Sequence, residues 1–259
     1  MAPPEELAPM KEQVYRDPRP AEHFTRFHER TRTREPDGWY EIVRTLTSLW
    51  GYIALRGRCL AADHVPATGP VIIAPNHFSF MDHFLVGMFI RRRIRFMAKS
   101  QLFSGGLLQH IYTHGGVFPV RRGARDEEAF ITARSVLARG GCVAMYCEGG
   151  RSRSGKLADN AKPGIGRLAL ETGATIVPIA IHGSSKVRNW KRLQFPKVAV
   201  QYGEPLTFPQ EASPSRERQQ EVADEIFGRI KELYAGLEQH GRRGIAEQLR
   251  EKRRRLSPA

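Results

Sequence analysis

The stretch that decides the fold reads GPVIIAPNHFSFMD and covers residues 69–82. Its Gly-Pro pair is typical of a turn, and the apolar run at residues 71–74 is typical of a buried strand. Polar side chains, among them Asn76 and His77, follow this run directly. Because α/β folds place reactive groups at strand ends, the stretch predicts a sheet with a functional site where this strand ends.

The same alternation of strands and helices continues along the chain. Predicted strands lie at residues 71–74, 94–98, 117–120, 142–146, 175–181 and 198–201, and predicted helices at 82–90, 126–139 and 163–172. This order predicts an α/β fold, a layered mixed sheet flanked by helices. An N-terminal amphipathic helix and a C-terminal helix complete it.

Four segments follow from this pattern. Residues 1–38, rich in proline and mixed charge, are expected to form a mobile arm with at most a short helix. Residues 39–58 form the amphipathic helix, and residues 59–210 form the main domain. Residues 211–259 form a C-terminal helix, which begins near Pro214, and a basic tail.

The amphipathic helix has an unusual composition. The eleven residues between Arg44 and Arg56 carry no charge, and the helix contains Trp39 and Trp50. Its apolar residues recur at three- and four-residue steps, which places them on one face. Such a helix suits the headgroup region of a bilayer. An ordinary helix packed on the core explains the pattern equally well.

The charge of the chain limits the classes of partner. Its 259 residues include 41 lysines and arginines against 27 acidic residues, which gives a formal net charge of +14. This excess attracts polyanions, so nucleic acid, acidic lipid and anionic substrates all qualify. A solvated surface also explains clusters of basic residues.

The expected compartment is the cytoplasm. Cys59, Cys142 and Cys147 are too few and too irregularly spaced for a disulfide framework or a zinc site, which fits a reducing environment. No stretch approaches the roughly 20 apolar residues that cross a bilayer. The N-terminus also lacks the basic-then-apolar pattern of a signal peptide.

His77 and Asp82 are the candidate catalytic residues. A histidine of near-neutral pKa can take a proton from an alcohol when a carboxylate holds its other ring nitrogen. Asp82, five residues along the chain, can do this if a turn separates strand and helix. On spacing alone, a capping or core arrangement explains the pair as well.

Two further blocks suggest an anion site. Each places an arginine close to a pair of glycines: Arg121 follows residues 115–120, and Arg151 follows residues 148–150. Glycines let the backbone approach an anion, and the guanidinium fork matches phosphate oxygens. Lys99, after another predicted strand, completes a possible phosphate pocket, although each cation alone also fits a surface position.

The order of these blocks resembles the 1-acylglycerol-3-phosphate O-acyltransferase family, also called lysophosphatidic acid acyltransferases. Four motifs of that family occur in order over residues 60–209. They are Asn-His followed by four residues and Asp (Asn76, His77, Asp82), a Gly-x-x-Phe-x-x-Arg stretch (Phe118, Arg121), a Phe-Pro-Glu-Gly-Thr-Arg-Ser block (Glu148, Gly149, Arg151, Ser152) and Val-Pro in an apolar strand (Val177, Pro178).

The resemblance implies an acyltransferase domain at residues 59–210. It would move a fatty acyl group from acyl-CoA or acyl carrier protein to the free hydroxyl of 1-acylglycerol-3-phosphate, giving phosphatidic acid. His77 would remove the hydroxyl proton and Asp82 would orient it; the implied substrate-binding residues are Lys99, Arg121, Glu148, Gly149 and Arg151. The reaction needs no cofactor and no metal. The protein is expected on the inner face of the cell membrane, bound to its anionic surface.

Two departures fall in the third motif, where Cys147 replaces proline and Gly150 replaces threonine. They leave the local loop shape and the choice of acceptor open. A covalent acyl-cysteine at Cys147 is disfavoured, because no second histidine adjoins it in sequence.

Other interpretations remain open. The same chemistry suits glycerol-3-phosphate, another lysophospholipid or a glycolipid as acceptor. A basic nucleic-acid-binding protein without enzyme activity would also satisfy the charge. No recognisable binding module is present, so nucleic acid is not expected as a partner.

Overall fold

The computed structural model describes residues 7–10, 16–122, 126–193 and 195–256. Seven strands within these ranges form one sheet in the order β1-β7-β6-β2-β5-β3-β4. The strands are β1 (Arg58–Leu60), β2 (Val71–Pro75), β3 (Ile94–Lys99), β4 (Phe118–Val120), β5 (Cys142–Ala144), β6 (Thr175–His182) and β7 (Ala199–Tyr202). Neighbours pair in parallel except β6 and β7, which are antiparallel. The predicted mixed sheet is confirmed.

Helices connect the strands and flank the sheet. They are α1 (Thr25–Thr33), α2 (Gly38–Ile53), α3 (Asp82–Gly87), α4 (Gly106–His114), α5 (Glu127–Ala138), α6 (Gly164–Thr172) and α7 (Arg216–Leu256). Short 3-10 helices occupy Ala21–Phe24, Ala62–His64, Ser100–Leu102 and Ser184–Arg192. α7 breaks at Gly241, whose φ is 62°, and helical structure then continues to Leu256 within the predicted basic tail. Residues 257–259 of that prediction lie outside the described residues.

Both faces of the sheet are covered. Successive residues of a strand point to opposite faces. In β2, Ile72 and Ala74 join the core formed with α5, α6 and α7. Val71 and Ile73 join the core formed with α3 on the other face. Because β2 is buried on both sides, its carboxyl end is held rigidly where the polar stretch begins.

The N-terminal segment differs from the mobile arm expected for residues 1–38. Residues 1–6 and 11–15 of that prediction lie outside the described residues. Further on, Phe24 and Phe27 are buried in a cluster with Phe103, and the rings of Phe27 and Phe103 lie 4.9 Å apart. Spacing of three residues puts Phe24 and Phe27 on one helical side. Apolar burial therefore fixes this part of the segment to the domain.

Helix α2 occupies most of the predicted amphipathic segment. Asp37 caps it by accepting a hydrogen bond from the backbone N–H of Trp39 at 3.1 Å. Trp50 packs against the core, so the helix has an inner apolar side. The outer side exposes the large apolar residues Ile42, Leu46, Leu49, Tyr52 and Ile53. Among the helices described, none is long and apolar enough to span a bilayer.

Candidate active site

Asn76 extends β2 by one position through its side chain. Its Nδ2 donates to the carbonyl of Ile181 at 3.1 Å, and its Oδ1 accepts from the Ile181 N–H at 2.7 Å. Its own N–H donates to the Ile179 carbonyl at 3.3 Å. These bonds tie the end of β2 to β6 and place the next residue, His77, just beyond the carboxyl end of this central strand.

His77 and Asp82 form the buried pair that the sequence predicts. His77 Nδ1 lies 2.9 Å from Asp82 Oδ2, and the two side chains are 4% and 0% exposed. An ionised carboxylate can only accept hydrogen bonds, so Nδ1 carries the proton. Nε2, across the ring from Asp82, is then the unprotonated nitrogen that a general base needs.

Asp82 Oδ2 collects three donors. Besides His77, it accepts from the N–H groups of Phe78 and Ser79, each at 2.7 Å. Asp82 is also the first residue of α3, where a negative charge is favoured by the helix dipole. The turn of residues 78–81 thus supplies the geometry that makes a five-residue spacing work. The carboxylate is held by backbone before it meets the imidazole.

Burial controls the protonation of His77. Burial lowers the pKa of His77, while the hydrogen bond and charge of Asp82 raise it and the charges of Arg122 and Arg151 lower it again. The net direction is downward, so the imidazole is neutral at pH 7. A neutral imidazole with a fixed tautomer is ready to accept a proton.

Two rings hold the imidazole from its sides. Tyr146 stacks on His77 with centroids 3.9 Å apart, and His83 meets it edge-on at 5.1 Å. Burial lowers the pKa of His83 to about 3, so this second histidine is also neutral. His83 Nδ1 donates to the Phe80 carbonyl at 3.2 Å. These contacts fix the plane in which His77 can act.

Glu148 fastens the third motif to the catalytic turn. Its Oε2 accepts from the His77 N–H at 2.7 Å, and its Oε1 accepts from the Ala158 N–H at 3.1 Å. Burial raises the pKa of Glu148 to about 7, against these two hydrogen bonds, which lower it. Both oxygens are thus engaged by backbone, and this geometry favours a supporting role for a residue predicted to bind substrate.

A cavity of about 400 Å³ opens beside His77. Apolar side chains from α2, α3, β3 and α4 form most of its wall, including Trp39, Val43, Phe84, Phe96, Leu108 and Ile111. Three cations, Lys99, Arg122 and Arg151, also line it. Burial lowers the pKa of Lys99, and the charges of Arg151 and Arg122 lower it further. The cavity therefore combines an apolar wall with a cluster of positive charge.

The predicted substrate-binding residues separate into two groups. Lys99 and Arg151 line the cavity with His77, whereas Arg121 and Gly149 do not belong to its lining. The backbone N–H of Arg121 donates to Asp126 Oδ2 at 2.6 Å, and the cavity receives the next residue, Arg122. Both arginines lie just beyond the end of β4, and Arg122 is in a turn.

Cys147 is a buried core residue beneath the site. It is 0% exposed and belongs to the cluster formed with α5, α6 and α7. Burial raises the pKa of its thiol, which opposes the thiolate that nucleophilic catalysis needs. Within the described ranges, no group of three or more His, Cys, Asp or Glu side chains could hold a metal ion.

Three residues at the site escaped sequence reasoning. His83 and Arg122 each adjoin a predicted site residue, Asp82 and Arg121, and this adjacency is the available sequence signal. Arg188 lies far along the chain, in the 3-10 helix after β6, yet donates to the carbonyl of Phe78. No local pattern marks it.

Comparison with known proteins shows which proteins this domain resembles. Residues 58–182 match the family model described as Acyltransferase, and that range contains β2, the His77–Asp82 pair and Arg151. This part of the chain is therefore similar to acyltransferase domains. The relatives described next are 1-acyl-sn-glycerol-3-phosphate acyltransferases, so the similarity points to the same class of enzyme.

Two curated relatives are plant enzymes. A chloroplastic 1-acyl-sn-glycerol-3-phosphate acyltransferase of Arabidopsis thaliana is 28% identical over 128 residues, which cover 48% of this chain and 35% of the relative. A chloroplastic enzyme of the same description from Brassica napus is 24% identical over 149 residues, covering 55% and 43%. The matches thus span less than half of either relative.

A solved structure shares the fold. The 1-acyl-sn-glycerophosphate (LPA) acyltransferase PlsC from Thermotoga maritima superposes with a TM-score of 0.58 at 22% identity. The match covers 82% of this chain and 89% of that one. The mixed sheet with its flanking helices is therefore the architecture of that protein as well.

Proposed function

We propose that this enzyme transfers a fatty acyl group from acyl-CoA or acyl carrier protein to the free hydroxyl of 1-acylglycerol-3-phosphate. The product is phosphatidic acid, a precursor of phospholipids. The observation that carries the proposal is the position of the neutral His77 on the wall of a cavity that is apolar and also contains Lys99, Arg122 and Arg151. An acceptor with a fatty chain and a phosphate matches both properties.

His77 acts as the general base. Its Nε2 takes the proton of the acceptor hydroxyl as that oxygen attacks the thioester carbonyl, and the C–S bond breaks as the tetrahedral intermediate collapses and releases a thiolate. Asp82 holds the Nδ1–H and stabilises the imidazolium that forms. Proton transfer from His77 to the leaving thiolate then restores the neutral imidazole.

The developing oxyanion needs donors other than the turn amides. The N–H groups of His77, Phe78 and Ser79 already donate to Glu148 and Asp82. Cationic side chains also line the cavity beside His77. Arg122 and Arg151 are the candidates, because their charges also act on His77.

The apolar part of the cavity would receive the fatty chain. Transfer of apolar surface from water to such a wall is favourable by about 25 cal/mol per Å². Helix α2 forms part of this wall through Trp39 and Val43 and carries exposed apolar residues on its outer side. The enzyme is proposed to rest on an anionic membrane through that outer side, on the cytoplasmic face.

An acceptor panel tests the proposed substrate together with the phosphate site. Two donors, acyl-CoA and acyl carrier protein, each carrying a labelled acyl group, are tested separately. The acceptors are 1-acylglycerol-3-phosphate, glycerol-3-phosphate, a lysophosphatidylcholine and a phosphate-free monoacylglycerol. We expect strongest transfer to 1-acylglycerol-3-phosphate. Lys99→Gln should raise the KM for this acceptor by about 10- to 100-fold, since a hydrogen bond to a charged group contributes about 1.5–3 kcal/mol.

Arg121→Gln is the matched control, because it removes one positive charge outside the cavity. Its KM for 1-acylglycerol-3-phosphate should stay close to that of the unaltered enzyme. A larger effect at Arg121 than at Lys99 would move the phosphate site away from the cavity. Preferred transfer to a phosphate-free acceptor would reject the proposed substrate.

Membrane docking predicts that a charged substitution on the outer side of α2 weakens binding to membranes. Leu46, 62% exposed, is on the outer side, and Leu46→Glu should weaken binding to vesicles with anionic lipid by about 10- to 100-fold, because burial of a leucine contributes about 1.5–3 kcal/mol. Vesicle sedimentation measures this. Ile131→Glu on α5, a helix of the opposite layer, is the control. Equal binding by both variants would contradict docking through α2.

A further inference from the structure

Arg188 joins two parts of the active site from outside the matched acyltransferase domain. It lies in the 3-10 helix Ser184–Arg192 and is half-buried. Its Nε and Nη2 donate to the carbonyl of Phe78 at 3.2 and 2.8 Å. Its Nη1 donates to the carbonyl of Arg153 at 2.8 Å, and Nη2 also contacts the carbonyl of Ser152.

The contact with Phe78 acts on a single peptide unit. The carbonyl of Phe78 and the N–H of Ser79 belong to the same planar amide, so fixing one end fixes the other. That N–H donates to Asp82 Oδ2 at 2.7 Å, and the same oxygen receives His77 Nδ1 at 2.9 Å. A chain of hydrogen bonds therefore runs from Arg188 through this amide and Asp82 to the imidazole.

The other arm of Arg188 holds the loop that follows Arg151. The carbonyls of Ser152 and Arg153 both face the guanidinium. The N–H of Ser152 donates to the carbonyl of His77 at 2.9 Å, so the loop also touches the turn directly. One planar fork thus connects the catalytic turn to the loop that carries a cavity cation.

An arginine suits this position for physical reasons. Its guanidinium presents five N–H donors in a fixed plane, whereas a lysine ammonium is a point charge on a flexible stem. Burial lowers the pKa of Arg188, and the charge of Arg151 lowers it further, while Asp82 raises it. Hydrogen bonds in series also polarise one another, so a cationic donor at Phe78 strengthens the Ser79 N–H as a donor to Asp82.

We propose that Arg188 is a positioning residue for the reaction, which orients the amide between Phe78 and Ser79 and through it the Asp82–His77 pair. The role rests on the proposed function of His77 as the general base. Loss of Arg188 lets this amide rotate, which weakens the hydrogen bond from the Ser79 N–H to Asp82. His77 can then adopt the other tautomer. Chemistry is slowed, while the hydrogen bond from the Ser152 N–H to the His77 carbonyl still holds the loop of Arg151 at the cavity.

The first test observes the hydrogen bond itself and needs no substrate. In ¹⁵N-labelled protein, the Nδ1–H proton of His77 should give a downfield resonance protected from exchange with water. Arg188→Ala should lose this resonance, and Lys191→Ala, a charge loss on the same 3-10 helix, should keep it. An unchanged resonance in Arg188→Ala overturns the proposal, whatever reaction the enzyme catalyses.

The second test separates positioning from general structural support. Arg188→Ala should lower the single-turnover rate by up to about 10²-fold, as expected for a small misplacement of a reactive group, with KM values little changed. In Asp82→Asn, the added Arg188→Ala change should cause little further loss, because both act through one carboxylate. Multiplying losses would show an independent role and overturn the proposal.

Arg188→Lys keeps the experiment decisive if the alanine variant does not fold. Lysine keeps the charge and can reach one carbonyl, so it should retain the fold and an intermediate rate. A rate equal to that of the unaltered enzyme would show that the fork is not needed. An absence of acyl transfer by the unaltered enzyme would count against the proposed function alone, since the resonance still reports on Arg188.

Discussion

His77→Ala is expected to abolish acyl transfer and to leave a folded protein. The substitution removes Nε2, the only ring nitrogen of His77 that Asp82 does not engage. General-base catalysis commonly contributes about 10²–10⁴-fold, and a misplaced acceptor hydroxyl adds to the loss. The fold should persist because the backbone bonds of residue 77 to Glu148 and Ser152 do not depend on its side chain.

Single-turnover transfer from labelled acyl-CoA to 1-acylglycerol-3-phosphate measures this effect, and circular dichroism confirms folding. Ser79→Ala is the control. Ser79 Oγ accepts a backbone hydrogen bond from Met81 at 3.2 Å, a structural role that does not require a nucleophile. This variant should keep measurable transfer and form no acyl-enzyme. Near-normal transfer by His77→Ala would refute the mechanism proposed here.

Asp82→Asn should leave only a small residue of activity. His77, Phe78 and Ser79 all donate to Asp82 Oδ2, so an asparagine with its N–H₂ at that position faces His77 Nδ1 with a donor. An asparagine with its oxygen there keeps the hydrogen bonds but lacks the negative charge that stabilises the imidazolium. The first orientation favours the tautomer of His77 with the proton on Nε2, and this nitrogen then cannot act as a base. The equivalent change in serine-protease triads lowers kcat by about 10⁴-fold.

The pH profile shows whether the loss comes from the tautomer. Asp82 raises the pKa of His77 against burial, so removing the carboxylate moves this pKa further down. The imidazole is then neutral over a wider pH range, and a higher pH should not restore the rate. Asp63→Asn, at an exposed carboxylate, is the control and should behave normally. Recovery of Asp82→Asn at alkaline pH would reject the tautomer explanation.

Much of the sheet could be predicted from the sequence for a simple physical reason. Parallel strands buried on both faces form continuous apolar runs, so β2, β5 and β6 were predictable to within two residues. β1 has three residues and begins with the exposed Arg58, which leaves no such run. α4 has no fully buried residue and so lacks a core-facing stripe.

The candidate site was predictable where its geometry is local. His77 and Asp82 meet because one turn joins them, and their spacing encodes that turn. The choice between Arg121 and Arg122 depends on the direction of the chain after β4, which two adjacent arginines do not reveal. Arg188 meets Phe78 across 110 residues of chain, so only the tertiary fold brings them together.

The side chain of Asn76 explains why an asparagine directly precedes His77. Its amide imitates a peptide group, with one donor and one acceptor aimed at Ile181. Aspartate would lack the donor, and glutamine would carry the same groups one methylene too far. Asparagine therefore adds one more pair of sheet-like hydrogen bonds beyond the end of β2, made by a side chain instead of a peptide group. Asn76 and His77 thus act together: the first fixes the end of the strand, and the second places the catalytic base there.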